Sequence, residues 1–142
     1  MALSAGAVAE PRDEGENRML VGAATIFTVR DLAASVAYYR DTMGFTVTFQ
    51  YGEPAFYACL CRDEVAIHLR AGVRWTPGNG AIAIFVNDVD ALHGELVARG
   101  ANVLNPPQDY PYGMRDFDVA DPDGNHLTFG METQSAVAAA SN

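Results

Sequence analysis

Two stretches of this sequence follow one plan: TIFTVRDLAASVAYYRDTMGFTV, from Thr25 to Val47, and AIAIFVNDVDALHGELVARGANV, from Ala81 to Val103. In each, an alternating apolar run leads to an Asp, an amphipathic stretch, a Gly and a second alternating run. Such a repeat means two copies of one supersecondary unit, each with an apolar face that needs cover. Asp31 and Asp88 stand where a carboxylate can accept from the orphan amides of a first helical turn. Gly44 and Gly100 suit the left-handed residue just past a helix. Leu32, Val36, Tyr39 and Met43 recur at helical spacing, as do Val89, Leu92 and Leu96, so each helix has a stripe to bury.

Strand-like runs follow each helix: 45–51, 55–61 and 65–70 in the first half, then around Val103, 114–120 and 126–131 in the second. RDE and DPDG supply hairpin turns, the latter with Asp-Gly chemistry. The plan is βαβββ, twice. It predicts an α+β domain in which two tandem modules, about 21–72 and 79–131, form a curved mixed sheet with a ligand cavity. Residues 1–20, rich in Ala, Gly and charge, predict a flexible lead-in, and 132–142 a C-terminal tail.

The strands have two unlike faces. In VAIHLR, Val65, Ile67 and Leu69 alternate with Ala66, His68 and Arg70. Thr25, Phe27 and Val29 alternate with Ala24, Ile26 and Thr28; Ile82, Ile84 and Val86 with Ala81, Ala83 and Phe85; Leu127, Phe129 and Met131 with His126, Thr128 and Gly130. One face is bulky enough to pack beneath a helix, and the other is dominated by small residues and His. Small residues waste burial in a core. They suit the wall of a concavity, or a face that simply meets solvent.

Composition excludes several classes. A net charge of −9 disfavours nucleic acid and anionic membrane, and favours a cationic or neutral partner. All basic residues are Arg, so no lysine Schiff base can form. Cys59 and Cys61 lie on one face of a strand, a poor disulfide geometry, and read as buried free thiols. No apolar run approaches the roughly 18 residues that span a bilayer, and the first residues lack the basic and apolar regions of a signal peptide. The expected location is cytoplasmic. No Ser-His-Asp order, phosphate loop or zinc-type Cys spacing occurs, and DPDGN reads as a turn rather than a site.

The twin plan, VRDLAASVAYYRDTMGF and above all YPYGMRDFDVADPDGNHLTFG resemble the vicinal oxygen chelate superfamily. That superfamily includes glyoxalase I, extradiol dioxygenases, fosfomycin-resistance enzymes and bleomycin-resistance proteins. The likeness covers 24 to about 131. The closing segment, with DTMGFTVTF, is most similar to the bleomycin-resistance branch. By that resemblance the superfamily's four metal-ligand positions fall on Ala24, His68, Ala81 and Thr128, of which only His68 can coordinate. His126, two residues before Thr128, offers a possible two-His site. The resemblance also places Phe49 and Tyr112 at the two aromatic positions that sandwich a flat cationic drug, with Tyr112 standing where a tryptophan is usual.

The resulting expectation is a metal-independent homodimer without a cofactor, of the bleomycin-resistance type, that sequesters an aromatic or cationic natural product in antibiotic resistance. Its expected ligand-binding residues are Phe49, Tyr112, His68, Trp75 and Arg115, with no metal ligands and no assigned catalytic residue. Phe49 suits core packing equally well. Trp75, in the link AGVRWTPGNG, suits the groove, the subunit seam or a hinge, and Arg115 suits Asp116 or a ligand carboxylate. The alternatives are a glyoxalase-like metal-dependent lyase, isomerase or dioxygenase using His68, His126 and either Glu53 or a partner-chain carboxylate, and a metal-free enzyme with His68 as general base.

Overall fold

The computed structural model of the protein describes residues 17–141. The expected lead-in falls mostly outside them. Strand β1 (Thr25–Thr28) leads to helix α1 (Leu32–Ala37), which runs on into a π-helical turn, Tyr38–Thr42. Strands β2 (Thr46–Gly52), β3 (Ala55–Arg62) and β4 (Val65–Arg70) complete the first module. The second repeats the order with β5 (Ala81–Phe85), α2 (Val89–Ala98), β6 (Asn102–Asp109), β7 (Met114–Ala120) and β8 (His126–Glu132). Both helices start as expected: Asp31 accepts from the Ala34 amide at 3.1 Å and Asp88 from the Ala91 amide at 3.0 Å. Gly44 and Gly100 take the left-handed conformation, with φ of 80° and 92°.

Each module builds its own four-stranded sheet, ordered β1-β4-β3-β2 and β5-β8-β7-β6, with a parallel outer pair and antiparallel hairpins. The expected α+β plan of two tandem βαβββ modules is met, with one mixed sheet to each module. Among the described residues β1 and β5 each end a sheet, and no hydrogen-bonded ladder joins the two sheets. The modules meet through their apolar faces instead. One hydrophobic cluster takes Phe27, Leu60 and Ile67 from the first sheet, Phe117, Val119 and Leu127 from the second, and Val36, Tyr39, Val89 and Leu96 from the helical segments.

The turn at Asp121–Asn125 latches the modules together. Tyr39 donates to Asp121 at 2.9 Å, and Asn125 Nδ2 donates to the Thr28 carbonyl at 3.0 Å while its Oδ1 accepts from the Gly80 amide at 2.8 Å. Arg62 adds a bidentate pair to Glu95 at 2.9 and 3.0 Å.

The expected C-terminal tail is instead helix α3 (Gln134–Ser141), preceded by the last residue of β8. Its Ala-rich sequence has high helix propensity, and Thr133 Oγ1 accepts from the Ala136 amide at 3.1 Å. Among the described residues no helix is long and apolar enough to cross a membrane.

Candidate functional site: the open faces of the two sheets

Directly opposed residues on paired strands share a face, so register determines what each uncovered face displays. On the first sheet one row runs Ile26, His68, Cys59, Phe49, and the next Thr28, Arg70, Tyr57, Tyr51. A β-bulge between Val47 and Phe49 sets this arrangement. Val47 packs against the core, whereas Phe49 swings to the open side and is 56% exposed. Phe49 is therefore not part of the core.

His68 is held in place. The Tyr57 hydroxyl lies 2.8 Å from its Nδ1, with the rings edge to face, leaving Nε2 as the ring's other polar atom. Burial, then the neighbouring Cys59, raises the pKa of Tyr57, so the phenol stays protonated at neutral pH. Cys59 and Cys61 are free but half-buried, not buried as expected, because β3 turns both toward this uncovered face. Arg70 donates to Thr28 Oγ1 at 2.9 Å and lies 4.1 Å from the Trp75 ring centroid. The link between modules thus folds back so that Trp75 lies beside Arg70.

The second sheet's open face is acidic. Its rows are Ala81, His126, Ala120, Asn102; then Ala83, Thr128, Asp118, Asn105; then Phe85, Gly130, Asp116, Gln108. Asp118 collects three donors: Thr128 Oγ1 at 2.6 Å, Asn105 Nδ2 at 3.0 Å and His126 Nε2 at 3.0 Å. Burial alone would raise its pKa, but these bonds together outweigh it and hold the carboxyl below its usual value. Tyr112 is 66% exposed yet constrained. Its hydroxyl donates to Asp116 at 3.0 Å, and its ring stacks on Tyr110 with centroids 5.2 Å apart.

Arg115 points elsewhere. It binds neither Asp116 nor an open carboxylate site; its guanidinium bridges Asp90 at 2.8 Å and Asp109 at 3.0 Å on the helix-covered side. Its hydrogen bonds to those two carboxylates raise its pKa further. Phe49 and His68 thus share a row of the first sheet with Trp75 beside Arg70 of the next, Tyr112 borders the second sheet, and Arg115 lies on that sheet's other face.

The four positions read as metal corners do not fit a divalent ion. His68 lies beside Ile26, Thr128 beside Ala83, and Ala81 beside His126. Ala24 and Ala81 offer methyl groups, and the Thr128 hydroxyl is committed to Asp118. His68 and His126 sit on separate sheets, while Glu53 is exposed in the turn after β2. Among the described residues no three His, Cys, Asp or Glu side chains gather closely enough to hold a metal. A cleft of about 640 Å³ does open between the modules, lined by Met43, Arg62, Ile84, Phe85, Leu92 and Leu96. It includes neither His68 nor Thr128, so the expected cavity in the small-residue face is not this one.

Residues 22–129 match the family model described as Glyoxalase/Bleomycin resistance protein/Dioxygenase superfamily. The chain belongs to that superfamily. A bleomycin resistance protein of Geobacillus stearothermophilus is 29% identical over 128 residues, covering 75% of this chain and 93% of the relative. Among solved structures, the bleomycin-binding protein of Streptomyces verticillus complexed with copper(II)-bleomycin is 30% identical, with a TM-score of 0.67, covering 79% of this chain and 96% of that one. TioX from Micromonospora sp. ML1 shares the fold at 21% identity, with a TM-score of 0.68, covering 80% and 99%.

Several residues on the open faces of this superfamily member escaped sequence reasoning. Tyr57 was readable in principle, since it shares the parity of Cys59. Asp116 and Asp118 alternate with buried Phe117 and Val119 in MRDFDVA, a two-faced strand pattern like that of VAIHLR. Their bonds to Tyr112 and Thr128 depend on strand pairing, which no local pattern encodes.

Proposed function

We propose that this superfamily member is a metal-independent binding protein of the bleomycin-resistance type, which sequesters an aromatic or cationic natural product and thereby confers resistance in the cytoplasm. The observation that carries the reading is the content of the open faces: Ala24 and Ala81 supply no metal donor at two of the four corner positions, while Phe49 and Tyr112 present their rings at 56% and 66% exposure. The relatives support the same direction, since one is named a bleomycin resistance protein and another binds copper(II)-bleomycin. A metal-dependent lyase, isomerase or dioxygenase would need donors that Ala24 and Ala81 lack.

Phe49 and Tyr112 lie on different sheets, so a sandwich between them calls for a second copy. Among the described residues, strands β1 and β5 leave one edge of each sheet unpaired. Their sequences, TIFT and AIAIF, carry no charge and no Pro, the devices that keep edges apart. Edge-to-edge pairing in a homodimer would join the aromatic face of one copy to the acidic face of the other. Each stacked ring contributes about 0.5–1.5 kcal/mol beyond its burial, and the acidic face steers a cation inward. His68 and Trp75 complete the aromatic side.

Isothermal titration with copper(II)-bleomycin and with metal-free bleomycin tests this. Saturable binding is expected, weakened about threefold to tenfold by Phe49→Ala or Tyr112→Ala. Absence of heat with either form at micromolar protein would remove this ligand class.

A further inference from the structure

We propose that Arg70 and Arg74, gathered on the ring of Trp75, form an oxyanion site that takes the carboxylate of an organic acid. The proposal rests on the reading of this protein as one that holds a small organic ligand, and adds a charge that the ligand carries.

Three observations converge. The first is a pair of guanidiniums without acids. Arg70 Cζ lies 4.1 Å from the Trp75 ring centroid, and Arg74 Cζ lies 5.5 Å from it. The chain has 18 acidic residues to 9 basic ones, and Arg30, Arg40, Arg62, Arg99 and Arg115 each meet a carboxylate. Among the described residues Arg70 and Arg74 meet none. One exposed guanidinium is ordinary, but two like charges held on one ring repel. An oxyanion shared by the pair removes that cost and gains charge-assisted hydrogen bonds.

The second is preorganisation. Arg70 Nε donates to the hydroxyl of buried Thr28 at 2.9 Å. That bond anchors one edge of the guanidinium, while its two Nη atoms have no hydrogen-bond partner among the described residues. A carboxylate accepts from such a terminal pair bidentately. Trp75 is held as well. Its amide donates to the Gly72 carbonyl at 3.4 Å, and a Cβ on Gly72 would lie 3.3 Å from ring atom Cζ3, so glycine lets the ring sit close to the chain. Side chains already held in place lose little freedom when a ligand arrives.

The third is space. Trp75 also borders a hollow of about 300 Å³, whose other walls are Val29, Arg30, Gly72, Val73 and Pro77. About 150 Å³ holds a benzene ring, so the apolar part of an aromatic acid has room beside the ring that the two guanidiniums share. The second sheet's open face, with Asp116 and Asp118, is acidic by contrast. Electrostatics therefore sort a carboxylate away from that face and toward Arg70 and Arg74.

Trp75 is the chain's one tryptophan, so its indole gives a single cross-peak in a nitrogen–proton correlation spectrum. The test follows that peak during titration with benzoate and with benzamide, a neutral molecule of the same shape, alongside calorimetry with copper(II)-bleomycin. Benzoate is expected to shift the peak saturably and to bind more tightly than benzamide. Arg70→Gln and Arg74→Gln should each weaken benzoate about threefold to tenfold. Arg40→Gln, which removes a charge paired with Asp41, should leave it unchanged. Glutamine at position 70 keeps a donor for Thr28, and Arg74 is exposed, so Arg74→Gln tests the site even where Arg70→Gln disturbs the fold. No saturable shift with benzoate, equal affinity for benzamide, undiminished benzoate binding in either folded variant, or an equal loss in Arg40→Gln would overturn the site. If benzoate fails while copper(II)-bleomycin binds, the oxyanion site is wrong and the proposed function stands. If benzoate binds and bleomycin does not, the site stands without that drug.

Discussion

Tyr39 and Asp121, far apart in sequence, are joined at 2.9 Å by a buried hydrogen bond that fastens the first module's helical segment to the second module's last hairpin. Burial, reinforced by the Asp121 charge, drives the Tyr39 pKa far up, so this phenol acts only as a neutral donor. Tyr39→Phe keeps the packing and leaves a buried carboxylate short of one donor. The expected cost is about 1–3 kcal/mol, read as a lower urea midpoint with an unchanged slope. An unchanged midpoint would mean that Asp121 is satisfied by its own turn.

Gly80 makes the adjacent junction. A methyl group there would collide with the Phe27 ring and crowd Asn125 Oδ1, which accepts from the Gly80 amide. Gly80→Ala should therefore destabilise by about 1–3 kcal/mol through overpacking, although alanine usually stabilises an unstrained position. Thermal unfolding distinguishes the two, and a raised melting temperature would contradict the packing described.

Acid should act through Asp118. Its folded pKa lies below the usual carboxylate value, so it contributes stability in full above the unfolded value near 3.9 and loses it as pH falls through the folded value. Between about pH 5 and pH 2, wild type should lose more stability than Asp118→Asn. Parallel curves for the two proteins would show that Thr128, Asn105 and His126 do not hold the charge.

Trp75 provides an internal reporter, being the sole tryptophan. Its ring lies over Arg70 beside the row that holds Tyr57, so a ligand seated on the first sheet should change its emission. His68→Ala should weaken that ligand while leaving the fold intact, because His68 is half-exposed and, among the described residues, its side chain bonds only to Tyr57. A ligand that binds with no change in Trp75 emission would place the site on the second sheet alone.

Edge pairing makes a separate prediction. Ala83 is exposed in β5, whose outer side has no strand among the described residues. Ala83→Lys should shift the protein toward monomer in sedimentation velocity, because a lysine on an edge opposes strand addition. A dimer that withstands this change uses another surface.

Much of this architecture was legible because period and punctuation are local. The Asp caps, the glycines after the helices and the alternation in VAIHLR report short-range geometry, and Leu32, Val36, Tyr39 and Met43 are buried as their spacing implies. Phe49 was ambiguous because a bulge resets strand parity without a local signature. Helix α3 was read as a tail because its Ala-rich stretch lacks a strong apolar stripe. The latch at Asp121–Asn125 and the position of Arg115 were hidden for another reason. Their partners, Tyr39, Thr28, Asp90 and Asp109, are chosen by tertiary packing rather than by neighbours in sequence.

The central claim is that the open faces hold a ligand without a protein-bound metal. Elemental analysis of protein purified in the absence of chelators, followed by titration of that same sample with copper(II)-bleomycin, tests it most directly. The account predicts substoichiometric zinc, nickel, iron and manganese together with saturable drug binding. A stoichiometric transition metal lost on mutating His68 or His126, with drug binding absent, would contradict it.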